Sequence, residues 1–369
     1  MSEPAPSTPI RLFLAWLVPA VAVVITMRPV AAPVLDPDVW WHLRVGQWVV
    51  EHRAVPELDT FTQLGPTPWV AYSWLYEATL FGLYSAFGLA GIIVYRVVFS
   101  LLIVRAIHAF VTRLEPRYLV AISLTGVAVL AMGGLFAERP WLVTILFSVI
   151  TLHAIVVLRQ PGVTRVPAWV WTLPLLYVVW ANVHIQFVYG LFLLAVACVA
   201  PWVDAWFFSP GLSKPDAQAR VTESLACASG LEGFGKRYRQ LVALAALCFL
   251  ATFANPYGYR VYVVIVEYAT QPGPFRFINE LKALEFREPT DWVMLGLTAA
   301  ACVVLGRRTT TAFLPMLLIG TAVFAFRARR DLWFVVLADL LVLASAGPRD
   351  VPERDRFTPS PLEIGRAHV

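Results

Sequence analysis

Charge is scarce in this sequence. Asp, Glu, Lys and Arg make up 14% of its 369 residues, where a soluble globular domain carries about 25%. Cysteine is rarer, with Cys198, Cys227, Cys248 and Cys302 alone, and no two stand at motif spacing. That excludes a disulfide framework and a zinc site. No stretch alternates as a barrel strand does, and nothing repeats at a solenoid period, so membrane barrels and repeat arrays are excluded as well. The formal net charge is +5 and the pI about 9.1. The basic residues nevertheless lie between greasy runs instead of forming a patch, which argues against a nucleic-acid partner.

What is present in excess is apolar surface. The chain is 59% hydrophobic, with 14 Trp and a mean hydropathy of +0.69. The excess falls into runs of about 17–25 residues, the length that crosses ~30 Å of hydrocarbon as helix. These features predict an all-α, polytopic integral membrane protein with about ten (9–11) transmembrane helices. The spans are expected at 11–27, 89–112, 118–136, 141–158, 167–182, 187–206, 240–256, 290–306, 311–326 and 331–347. The first, Leu12 to Met27, lacks a small-residue cleavage site and reads as a retained span.

The connections alternate in charge. Arg113/Arg117, Arg159/Arg165, Lys214 through Arg239 and Arg307/Arg308 are basic, while 133–140 and 183–186 are nearly neutral. Basic connections favour the cytoplasm, which places the N-terminus there too. The reading is then a single transmembrane domain over 1–347, with a first extracytoplasmic loop (28–88), a cytoplasmic loop (207–239) and a second extracytoplasmic loop (257–289). Residues 348–362 form a polar tail. "EIGRAHV" (363–369) matches one reading frame of a common sequencing adapter. These residues are expected to be non-native, with the natural chain continuing past Leu362. The stretch "WVAYSWLYEATLFGLYSAFG" (69–88) is greasy but carries Glu77, and reads as a juxtamembrane or re-entrant helix over a true span.

Polar chemistry concentrates at the outer ends of the runs. "LDPDVWWHLRVGQW" (35–48) follows the first span. Pro37 favours a helix start, with Trp41, Val45, Trp48 and Val49 on one face and Asp38 and His42 on another. The indoles are expected to seat this helix at the lipid–water boundary, displaying Asp36 and Asp38 at headgroup level. Either aspartate can equally serve as a helix cap. Asn182, His184 and Gln186 mark a turn between two spans, and Arg139 marks another. Polar side chains near membrane depth are costly and tend to face a cavity. "FRARRDLW" (326–333) puts Arg327, Arg329 and Arg330 outside, against the positive-inside tendency. Guanidinium groups suit phosphate through forked, charge-assisted bonds.

The order of a span, an acidic outer loop with "WWHLRVGQWVVEHRAVPELDTFT", then "PWVAYSWLYEATLFGLYSAFG" and an Arg-bearing span resembles the GT-C class of polytopic glycosyltransferases. The likeness is to the polyprenyl-phosphate-sugar-dependent branch that includes protein mannosyltransferases and the lipid A aminoarabinose transferase, and to uncharacterised bacterial membrane proteins with the same opening. "GPTPW" stands where that branch has a basic residue and a double proline. The resemblance implies an enzyme of the bacterial cytoplasmic membrane. It would move a hexosyl or pentosyl group from a polyprenyl-phosphate-linked donor to a glycan, lipid or protein acceptor at the outer face. By position, Asp36 and Asp38 would be catalytic, and Arg330, with Arg327, Arg329 and Arg139, would bind donor phosphate. His42, His184, Asn182, Gln186 and Glu77 would line the substrate. A divalent ion, Mg or Mn, on Asp36 and Asp38 is another form of the same chemistry. Membrane lipids are expected partners. A transporter or flippase, and a non-catalytic component of envelope assembly, are the rival readings.

Overall fold

The computed structural model describes residues 33–34, 36–63, 67–160, 166–207, 232–308 and 311–347. The expected first span (11–27), most of the 207–239 loop, the polar tail and the 363–369 segment lie outside the described residues.

The described chain is helical. In order, the helices are α1 (Asp38–His52), α2 (Trp74–Phe87), α3 (Leu89–Leu114), α4 (Tyr118–Ala131), α5 (Trp141–Arg159), α6 (Leu173–Val183) and α7 (Phe187–Phe207). They continue with α8 (Glu232–Ala251), α9 (Arg260–Thr270), α10 (Pro272–Phe277), α11 (Pro289–Gly306), α12 (Phe313–Arg327) and α13 (Leu332–Ala344). Two antiparallel residue pairs, β1 (Leu58–Asp59) with β2 (Thr67–Pro68), pin the loop between α1 and α2.

Each expected span within the described residues meets a helix, but only α3, α5, α7 and α11 are long and apolar enough to cross a membrane. Among the described residues four helices have that length and composition, against about ten expected. For α4, α6, α12 and α13 the reason is length, 11 to 15 residues, a rise of roughly 17–22 Å against ~30 Å of hydrocarbon; α8 has 20 residues but opens with Glu232, Lys236, Arg237 and Arg239. Helix α13 is buried without a break from Leu332 to Val342, and its one charged residue, Asp339, accepts from Thr298 Oγ1 at 2.8 Å. With α5 it forms the centre, α5 packing on α3, α6, α7 and α8, and α13 on α3, α4, α11 and α12.

The two helices after the first expected span form a close pair. Val39, Leu43, Val45, Gly46 and Val49 are the buried residues of α1. At Gly46, an added Cβ would lie 2.1 Å from the Glu77 carbonyl oxygen, so only glycine allows this approach of the two backbones. The stripe expected from Trp41, Val45, Trp48 and Val49 is thus corrected. The two valines face inward, whereas Trp40 and Trp41 are exposed and Trp48 stacks on the His52 ring at 4.3 Å. Helix-on-helix packing at Gly46 sets the buried face, and the indoles lie outside it. Gly88, at φ 59°, turns the chain sharply from α2 into α3.

The two ends of the bundle differ. At one end, the Arg113 guanidinium donates to Gln160 Oε1 at 2.8 Å, the Arg237 guanidinium to the Gln160 carbonyl, and Arg159 to Ala197 O at 3.2 Å. This end gathers the basic connections. The joints at 132–140, 184–186 and 328–331 gather at the other, together with the start of α1.

Candidate functional site

Arg139 organises that second end, and its own loop is fixed from beneath. Tyr76 donates to the Glu138 carbonyl at 2.6 Å and Tyr95 to the Arg139 carbonyl at 3.1 Å, while Arg96 donates to Glu138 Oε1 at 2.7 Å. Pro140 then starts α5. The Arg139 guanidinium donates through Nε to Asp36 Oδ2 and through Nη1 to Asp38 Oδ2, and lies over the Trp141 ring at 5.3 Å. Its Nη2 is 3.7 Å from Glu280 Oε2, and Glu280 Oε1 is 3.8 Å from Arg330 Nη1. Two guanidinium groups are thereby bridged by one carboxylate from the second loop.

Asp36 has two tasks. Its Oδ1 accepts the Asp38 backbone N–H at 3.0 Å, opening α1, while its Oδ2 faces Arg139. The capping and site readings of this residue are therefore compatible. Its side chain is 13% exposed and that of Asp38 is 53% exposed, so Asp38 is the carboxylate an incoming molecule reaches.

Beyond Glu280 lies a cavity of about 150 Å³, lined among others by Tyr72, His184, Gln186, Tyr189, Arg330 and Asp331. Asp331 is held by Gln186 Nε2 at 2.9 Å and by the Tyr189 hydroxyl at 2.7 Å. His184 interrupts the helical path between α6 and α7 with extended backbone. Trp180 Nε1 donates to Thr144 Oγ1 at 2.9 Å, and that hydroxyl lies 2.8 Å from His184 Nδ1. An indole is only a donor, so the threonine is free to donate onward to Nδ1 and leave Nε2–H for the cavity. Burial first, and then the charges of Arg330, His42 and Arg139, hold His184 well below its ordinary value of 6.5. It is neutral at pH 7.

The remaining expected residues divide. Of the arginine cluster, Arg330 points at Glu280 and Asp331. Arg327 donates to Ala269 O at 3.0 Å, covers the Phe275 ring and also lines the cavity. Arg329 is exposed, and its backbone N–H donates to Lys282 O. The Asn182 amide is engaged on both sides: it accepts from Trp74 Nε1 at 2.9 Å and donates to Val178 O and Ala254 O. It clamps α2, α6 and the turn after α8 together and is absent from the cavity wall. His42 Nδ1 meets Glu77 Oε1 at 3.0 Å between α1 and α2. Burial pushes the Glu77 carboxyl above its ordinary value, partly offset by that hydrogen bond.

Glu280, Asp331, Tyr72 and Tyr189 escaped the sequence reading. Asp331 carried a signal, being the acid directly after the arginine cluster, whereas Glu280 sits in a segment without motif or periodicity. As ligands, Asp36 and Asp38 offer the hard oxygens that Mg or Mn takes. Arg139 already pairs both, and among the described residues no group of three or more His, Cys, Asp or Glu could hold an ion. No protein-family model matches the chain, and no curated protein matches it.

Proposed function

We propose that the protein is a membrane glycosyltransferase of GT-C-like architecture, with about ten spans. It takes a sugar from a polyprenyl-phosphate donor and passes it to an envelope acceptor at the outer face of the bacterial cytoplasmic membrane. The observation that carries this reading is the meeting of Asp36 and Asp38 with Arg139, and of Arg139 with Arg330 through Glu280. A carboxylate beside a pair of guanidinium groups supplies both halves of the transfer. Asp38 takes the proton of the acceptor hydroxyl as that oxygen bonds to the anomeric carbon of the sugar. The bond from that carbon to the phosphate oxygen breaks, and polyprenyl phosphate leaves with the electron pair. Arg139 and Arg330 then stabilise the charge that gathers on the phosphate.

On this reading the donor phosphate lies between Arg139 and Arg330, where Glu280 now stands. Its contacts, at 3.7 and 3.8 Å, are longer than the ~2.7–2.9 Å of a charge-assisted hydrogen bond. A phosphate placed between the two guanidiniums exchanges loose ion pairs for direct ones. The neutral His184 lines the cavity and, with Nδ1 accepting from Thr144, would offer Nε2–H to a sugar hydroxyl or phosphate oxygen.

The test is a comparison of polyprenyl-linked sugars and envelope glycans, by mass spectrometry, between a deletion strain and strains complemented with wild type or Asp38→Asn. Wild type should clear an accumulated lipid-linked sugar, and Asp38→Asn should turn over about 10²–10⁴ times more slowly at equal expression. A second reading, a non-catalytic scaffold of envelope assembly, draws on the full pairing of Asp36 and Asp38 by Arg139, which structural ion clusters also use. Normal glycan in the Asp38→Asn strain would establish that second reading in place of the first.

A further inference from the structure

Beside the cavity, a second concavity of about 430 Å³ runs between the segment after β2 and helix α9. Its walls include Trp69, Tyr72, Tyr259, Tyr268, Arg260 and Glu267. No expected site residue falls in it. The Tyr72 and Tyr268 hydroxyls lie 3.3 Å apart, and both residues also line the inner cavity. The two spaces therefore share a wall.

We propose that this groove binds a neutral oligosaccharide chain. Four aromatic residues line it, of which Tyr72, Tyr259 and Tyr268 add hydroxyls, and aromatic rings suit the C–H faces of pyranose rings. Arg260 contributes only donors and Glu267 only acceptors, and they lie seven residues apart, on one side of α9. Hydroxyl groups, which both donate and accept, are satisfied by such a pair. One positive and one negative side chain give the wall no net charge, so it has no attraction for a second phosphate. A hydrocarbon chain in the groove would strip water from both charges without replacing their hydrogen bonds. A strand-like peptide would need free main-chain donors at the groove edge. Pro68 has none, the Trp69 N–H already donates to Glu57 O and the Tyr72 N–H to Val70 O, so the segment keeps too few donors to pair with a strand. The aromatic and charged side chains remain, and they suit a polyol.

The assignment deepens the transferase reading, since it makes the acceptor a glycan whose end approaches the cavity past Tyr72 and Tyr268. Binding itself needs no catalysis and is measured alone. The experiment is isothermal titration of the full chain in lipid nanodiscs with maltohexaose, mannohexaose, cellohexaose and chitohexaose. At least one should bind with a Kd of about 1 mM or tighter. Tyr259→Ala and Glu267→Gln should each weaken it at least about tenfold, a change of ~1.4 kcal/mol. Tyr259 is 69% exposed, so its removal leaves the fold intact. Arg330→Gln should leave glycan binding unchanged, which separates the groove from the donor site. If glycan binds but wild type transfers no sugar, the transferase reading falls and the groove stands. Absence of binding by all four probes, equal binding by Tyr259→Ala, or binding of a neutral Gly–Ser peptide in their place would overturn the proposal.

Discussion

Arg330 and His184 sit on the same cavity wall with opposite electrostatic tasks. Arg330 is nearly enclosed, and its partners Glu280 and Asp331 keep it charged. Under the transferase reading, Arg330→Gln removes one charge-assisted contact to the donor phosphate, a loss of about 1.5–3 kcal/mol, or roughly 10- to 150-fold in kcat/KM. Steady-state kinetics with a short-chain polyprenyl-phosphate sugar would read it, and an unchanged kcat/KM would remove the phosphate role. His184 carries a pH dependence instead. As pH falls through about 6.5 the unfolded chain protonates this histidine, whereas the folded protein, with its value held lower, does not. The unfolded state then binds the extra proton. Stability is fully present above pH 6.5 and declines below it, by up to about 1.4 kcal/mol per pH unit. Thermal melts in detergent from pH 7 to pH 5 should show a fall that is shallower in His184→Gln, and parallel curves would refute this. Arg139 and His184 were legible in the sequence because a polar side chain amid apolar runs is costly and calls for a partner. Glu280 was not, because its partners are reached only through the fold.

Among the elements, the pairing of α1 with α2 depends on one absent methyl group. Gly46→Ala drives a Cβ into the Glu77 carbonyl, and backbone cannot yield as the tip of a side chain does. Overpacking of this kind costs about 1–3 kcal/mol. The loss should be local: hydrogen exchange of the 38–52 amides should quicken while α5 and α13 stay protected, and an unchanged α1 would show that the pair tolerates separation. Helical spacing revealed that α1 exists and where it begins. It could not rank its faces, because periodicity weighs a tryptophan above a glycine, and here the glycine decides the contact. The aromatic-rich stretch 69–88 reads as a juxtamembrane or re-entrant helix, and a helix carrying Glu77 stands there at Trp74–Phe87. Its hydrogen bond to His42, by contrast, depends on two helices brought together by packing.

For the molecule as a whole, the alternation of basic and neutral connections translates into two distinct ends, and labelling can orient them. In a background lacking Cys198, Cys227, Cys248 and Cys302, replacements at Glu57 and Thr67 should react with a membrane-impermeant maleimide in intact cells. A replacement at Arg308 should react only after lysis. Protection of position 67 would invert the arrangement and put the carboxylates on the cytoplasmic side. Helix positions were legible because each run is bounded by Pro, Gly or charge. The shortness of α4, α6, α12 and α13 was not, since hydropathy continues past the point where the backbone stops being helical.

The Arg139 cluster also sets a timetable for biosynthesis. Asp36 and Arg139 are 103 residues apart, and Gln186 and Asp331 are 145 apart. At roughly 5–20 residues per second of translation, Asp36 waits about 5–20 s for its guanidinium, and Gln186 about 7–29 s for its carboxylate. During those intervals the nascent chain carries unpaired acids and amides beside a half-built bundle. Glu280 must be present before the two arginines can be bridged, and Arg330 emerges only with the segment that starts α13. A ribosome pausing between 139 and 330 would therefore hold Asp36 and Asp38 paired with Arg139 but the link to Arg330 incomplete.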